Sequence, residues 1–154
     1  MSILVSAFLI GIVAGLRTFM APTVVSWAAG LGWLSLEGTL LNFLSYQAAK
    51  YILSALAVFE LVMDKLPGTP SRKVPPQFIG RIVTGAFSGA ALGASRQALI
   101  SGLIAGAFGA VAGTLGGSQF RARLTSAIGG RDLPIAVFED AIAIVGGFLI
   151  VSHL

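Results

Sequence analysis

The first apolar run extends from Ser2 to Leu16, is interrupted by Arg17, and resumes from Thr18 to Leu34 with Pro22 inside it. No Lys or Arg precedes Arg17, so the run lacks the basic flank of a signal peptide. It reads as a retained helix, kinked or broken near Arg17–Pro22. A polar break, Ser35 to Gly38, leads to a second helix from about Thr39 to Lys65, whose apolar stretch proper is Tyr51 to Met63. The segment Leu66 to Pro76 (LPGTPSRKVPP) is a loop, punctuated by four prolines and a glycine. A third helix is predicted over Gln77 to Leu92, a tight connection over Gly93 to Gln97, and a fourth helix over Ala98 to Leu115. A polar, amphipathic piece follows, Gly117 to Asp132, and then a last helix from Leu133 to about Val151. A bilayer crossing takes about 20 apolar residues, which most of these runs supply and the third supplies marginally. The pattern therefore predicts an all-α integral membrane helical bundle of about five transmembrane helices, a single domain over residues 1–154.

Composition strengthens this reading. Only 10% of the residues are charged and 56% are hydrophobic, with a mean hydropathy of +0.92. A soluble domain carries roughly a quarter charged residues to face water. Membrane lipids are the natural partner for so apolar an exterior. The 20 glycines would weaken soluble helices but suit membrane helices, where they let backbones approach. Absence of cysteine excludes disulfides and thiolate metal sites, and the single histidine, His153, stands next to the C-terminal residue. No metal site and no cofactor are expected. The net charge of +4 sits in loops between apolar runs, which is the membrane pattern and argues against nucleic acid.

With five crossings, one side holds Lys65, Arg72, Lys73, Arg121, Arg123 and Arg131, and the other holds Arg96 with Lys50 near its edge. The rule that cytoplasmic loops are basic places the first side inside, the N-terminus in the cytoplasm and the C-terminus out, in the cell (inner) membrane. Trp27, Trp33, Tyr46 and Tyr51 flank the first outer connection, where an aromatic belt anchors a bundle. Two fragments recur: GIVAG at Gly11–Gly15 beside GLIAG at Gly102–Gly106, and AVFE at 57–60 and 136–139. They suggest a weak inverted repeat, although both carboxylates of the second pair fall on the inner side.

Chemistry at membrane depth is confined to a few side chains. Glu60 and Asp64 are spaced i,i+4 on one helical face, Glu139 and Asp140 open the last span, Arg81 lies one turn into the third helix, and Arg17 stands beside the break. An ionised group there costs about 2.5–3.5 kcal/mol unless it pairs or meets water. These six residues are the candidate binding site. Clustered carboxylates suit a small ion or a proton, whereas the same groups can form a salt-bridge network that only fixes helix register. Glycine ladders at 85/89/93, 102/106, 109/113/117 and 11/15 offer faces for close helix contact or for a homo-oligomer. No phosphate loop, Ser-His-Asp set or metal motif is visible, so an enzyme is not expected.

Three pieces of the chain carry a resemblance to a known family: Gly15-Leu16-Arg17-Thr18-Phe19 followed by Pro22; Glu60-Leu-Val-Met-Asp64-Lys65-Leu-Pro67-Gly68; and Glu139-Asp140. The chain resembles an uncharacterised bacterial membrane-protein family, domain of unknown function 4126. Where that pattern places an acid shortly after Pro-Gly, this chain has Thr69, Pro70 and Ser71. The resemblance implies a membrane protein and supplies no activity. The leading expectation is a transporter or channel-like protein with an intramembrane carboxylate/arginine site; the alternative is a structural or assembly protein whose buried charges fix helix packing.

Overall fold

The computed structural model describes residues 2–36, 38–39, 41–63, 75–127 and 133–152. Six α-helices fill the described chain: α1 (Ile3–Leu16), α2 (Met20–Gly30), α3 (Gln47–Met63), α4 (Pro75–Ala94), α5 (Leu99–Ala127) and α6 (Leu133–Ser152), with a 3-10 turn at Asn42–Ser45. The all-α expectation holds for these residues.

The first predicted helix is two helices. Ser2 caps α1, accepting a hydrogen bond from the Leu4 N–H. The helix stops where Arg17 adopts extended backbone (φ −142°, ψ 115°). Pro22 then sits in the first turn of α2, where its missing N–H costs no helical hydrogen bond. Two other boundaries also differ from the expectation. The predicted fourth helix and the amphipathic piece after it, as far as Ala127, form one helix, α5, which passes straight through Gly116 and Gly117; residues 128–132 lie outside the described residues. The second helix begins only at Gln47.

Helix directions follow from which residues meet. Arg81, near the start of α4, reaches the Gly15 carbonyl at the end of α1, and Gly85 sits against Ala14, so α1 and α4 are antiparallel. The Thr23 hydroxyl donates to the Leu53 carbonyl and Gly30 lies against Lys50, so α2 and α3 are antiparallel. Phe43, just before α3, stacks on Phe87 in the second half of α4, whereas Glu60, late in α3, faces Arg81, so α3 and α4 are antiparallel too. It follows that α1 and α2 run in opposite senses: the chain reverses at Arg17–Phe19. Helix α5 runs with α1, since the Phe8 carbonyl lies at Gly109 and the Ile12 carbonyl at Gly113. Helix α6 runs with α2, Asp140 lying at Arg17 and Gly147 at Val24.

This alternation corrects the expected topology. The start of α1 and the end of α6 lie at one end of the molecule, together with the end of α2, the 3-10 turn at Asn42–Ser45 and the turn after Ala94. The ends of α3 and α5 and the starts of α4 and α6 lie at the other. The N-terminus is therefore opposite the end that carries Arg121 and Arg123, not beside it, and the two termini share an end. The repeat also fails: α1 and α5 run the same way while α3 and α6 run opposite ways, so no single symmetry operation relates both fragment pairs.

The α1–α2 hairpin is short. At 1.5 Å per residue α1 is about 21 Å long and α2 about 16 Å, each below the roughly 30 Å of a hydrocarbon core. Its tip lies at the level of Arg81 and Asp140, which is about 9 Å along α4 from Pro75 and about 10 Å along α6 from Leu133. Within α5, Leu99–Leu124 is long and apolar enough to cross a membrane, and α1 is a shorter apolar helix. Alanines recur through the core, Ala7, Ala14, Ala21, Ala28 and Ala91 all without solvent exposure, beside larger side chains such as Ile10, Leu44 and Leu92.

Glycines set the spacing of α1, α4 and α5, which share the most extensive contacts in the molecule. A methyl group at Gly106 would strike the backbone of Gly85 and Gly89; one at Gly93 would strike Ala98; one at Gly109 would strike Phe8. The ladders seen in the sequence thus close helix pairs within the chain, and the faces at 85/89/93, 102/106 and 11/15 are occupied there.

Candidate functional site

The hairpin tip exposes two sets of backbone groups that an unbroken helix would satisfy internally: the last carbonyls of α1 and the first N–H groups of α2. Each set carries a partial charge, negative at the end of α1 and positive at the start of α2. Side chains of opposite sign meet both. The Arg17 guanidinium turns back so that Nη1 donates to the Leu16 carbonyl at 2.9 Å. Arg81, reaching across from α4, donates from Nη1 to the Gly15 carbonyl at 2.8 Å. On the other side, the Glu60 carboxylate faces Thr18, just ahead of α2, with Arg81 and Arg17 as its neighbouring cations.

Arg17 is the hub, only 1% exposed. Its Nε donates to Asp140 Oδ1 at 2.5 Å, its Nη2 pairs with the same oxygen, and its Nη1 stands 3.6 Å from Glu139 Oε1. Adjacent acids on one helix reach a single guanidinium because Arg presents a planar fork of donors. Glu139 is shared: its Oε2 lies 3.8 Å from Arg121 Nη1. Arg81, Glu139 and Asp140 are buried as well. Among the described residues three guanidiniums (Arg17, Arg81, Arg121) and three carboxylates (Glu60, Glu139, Asp140) thus lie together, opposite charges offsetting the cost of desolvation.

Of the six residues singled out in the sequence, the structure brings Arg17, Glu60, Arg81, Glu139 and Asp140 together at the tip. Asp64 lies outside the described residues, as do Lys65, Arg72, Lys73, Arg131 and His153. Arg121 is a member that the sequence reading left in a basic loop. The sequence carries only its spacing: Arg121 stands seven residues after Thr114, hence on the same helical face, and the structure places Thr114 against Gly15. Reading Gly116–Gly117 as a helix end concealed it.

Around the hairpin the polar contacts continue down α2. Thr23 donates to the Phe19 and Leu53 carbonyls, Ser26 to the Leu44 carbonyl at 2.5 Å, and Trp27 Nε1 to Ser54 at 2.9 Å. Lys50 Nζ lies 5.0 Å from the centre of the Trp27 ring, and Tyr51 meets the same ring edge-on. These aromatic contacts and the exposed rings of Trp33 and Tyr46 gather at the end opposite Arg121.

An all-α protein with a charged cluster held at a helix reversal is the class this geometry defines. The family model described as Domain of unknown function (DUF4126) matches residues 4–153, and the chain belongs to that family. No curated protein and no solved structure matches the chain.

Proposed function

We propose that this is a multi-pass protein of the cell (inner) membrane, transporter- or channel-like, whose site at the α1–α2 tip handles a small ion. The observation that carries the reading is the hairpin itself: it stops short of one end and holds a buried carboxylate/arginine cluster at its turn. Irregular backbone at membrane depth is tolerated where it is enclosed by protein or lines a polar cavity, and broken helices build the ion sites of many transporters. Membrane embedding is supported by the outward-facing apolar side chains on every flank, including Phe8, Ile52, Phe59, Ile79, Ile100, Phe108, Phe138 and Leu149. A water-facing surface of this kind would be an aggregation liability. Orientation follows the basic end: Arg121 and Arg123 face the cytoplasm, and the N-terminus lies on the other side.

The test is flux through liposomes reconstituted with the protein, comparing the parent with Glu60→Gln and Glu139→Gln. Ion or proton flux above that of protein-free vesicles, reduced by either change, is the expected result; identical leak in all vesicles overturns the reading. A second reading, a structural or assembly protein, is favoured by the charge balance of the cluster. It predicts that the same substitutions lower folded yield and leave flux untouched.

A further inference from the structure

The members of the cluster are not equivalent in how they are held. Asp140 is fixed by two Arg17 nitrogens. Glu139 is fixed between Arg17 and Arg121. Arg17 and Arg81 are tied to the carbonyls at the end of α1. Neutralising Asp140 or Glu139 would break an ion pair that the structure makes with Arg17, and breaking a buried ion pair is costly. Glu60 differs. Among the described residues no guanidinium pairs with it directly: it meets Thr18, and Arg81 and Arg17 act on it across space. Its Oε1 is buried and accepts no hydrogen bond there; Glu139 Oε1 likewise accepts none but stands in an ion pair with Arg17.

Resting on the transport reading above, we propose that Glu60 is the proton-exchanging carboxylate of the site and that the Arg17–Asp140–Glu139–Arg121 chain is its fixed frame. A proton taken from hydronium at the aqueous side forms an O–H bond at the carboxylate and leaves water behind, turning Glu60 into a neutral carboxyl. The charge of the cluster then rises by one, and Arg81 loses its facing carboxylate. Thr18, half-buried at the tip, carries a hydroxyl that both accepts and donates, which suits it to pass the proton to and from Glu60. The groups facing Glu60 are Arg17 and Thr18 from the hairpin turn and Arg81 from α4. On α6 Glu139 and Asp140 are engaged by Arg17, and on α5 Arg121 is engaged by Glu139.

The experiment is infrared difference spectroscopy of the detergent-solubilised full chain across a pH titration, run beside proteoliposome flux under a pH gradient and, separately, under a sodium or potassium gradient. The parent is expected to show a titrating band of a protonated carboxyl group that vanishes in Glu60→Gln and returns at a displaced pH in Glu60→Asp. Proton flux is expected to be lost with the band in Glu60→Gln. A titrating band that survives Glu60→Gln overturns the proposal. A Glu60-dependent sodium or potassium flux without any titrating band also overturns it, while leaving the transport reading in place. A titrating Glu60 in a protein that passes no ion sustains the proton site and sinks the transport reading instead.

Discussion

The half of the molecule formed by α1, α4 and α5 and the half formed by α2, α3 and α6 are held by different physics. In the first, glycines bring backbones into contact: Gly11 against Gly106, Gly89 against Gly102, Gly113 against Ile12. In the second, side chains reach across: Thr23 to the Leu53 carbonyl, Ser26 to the Leu44 carbonyl, Trp27 to Ser54 and Arg17 to Asp140. On the membrane reading proposed above, lipid gives helices no hydrophobic drive to associate, which leaves two means of cohesion, close van der Waals packing and interhelical polar bonds. This chain uses one on each side. Away from the tip the packed side is held by close backbone contact and is intolerant of added volume, whereas the polar side depends on its hydrogen bonds. The hairpin tip lies on the seam, where the ends of α1 and α2 expose backbone groups to both.

The comparison can be broken most severely at Arg17. Arg17→Met takes from Asp140 the two nitrogens that hold it and from Glu139 one of its two cations, and the expected loss is about 3–5 kcal/mol, read by thermal or denaturant unfolding in detergent. A protein that unfolds as the parent does would show that the acids find other partners and that Arg17 is no hub. Next in size, Asp140→Leu added to Arg17→Met removes the stranded acid, and most of the loss should return, to within about 1–2 kcal/mol of the parent. Failure to recover would show that Arg17 acts through the Leu16 carbonyl and Glu139 more than through Asp140.

On the packed side, Gly106→Ala puts a methyl into the backbone of Gly85 and Gly89, neither of which can yield by rotating a side chain. Separating α4 from α5 should cost about 1–3 kcal/mol, as overpacking does. An unchanged unfolding curve would mean that the two helices are not in backbone contact. The smallest effect is the control: Gly116 has open space where its Cβ would stand. Gly116→Ala should be neutral or gain up to about 1 kcal/mol of helix stability. A loss there would show that glycine is needed in α5 for a reason other than contact within this chain.

Much of this was readable along the chain. Arg17 and Pro22 announced the break, because a proline inside a helix removes a backbone hydrogen bond and a charge in an apolar run needs a partner. The four-residue spacing of Gly85, Gly89 and Gly93 announced a close contact, because that spacing falls on one helical face. What misled was Gly116–Gly117, a pair that reads as a helix end and is spanned by α5. Tertiary contacts override the local cost of glycine there, and Arg121 was lost from view with it.

The sequence alone determined that these helices are apolar outside, that one of them is interrupted at Arg17, and which residues carry charge at about the same level. These are local properties, set by composition, backbone preference and period. Only the tertiary structure decided that α2 turns back along α3 and α6, that the termini share an end, and that Arg121 joins Glu139 while Glu60 keeps one oxygen unengaged. A break in a helix fixes where the chain can bend. Where it goes next is chosen by which neighbours satisfy the carbonyls and charges left at the bend, and those neighbours are far away in sequence.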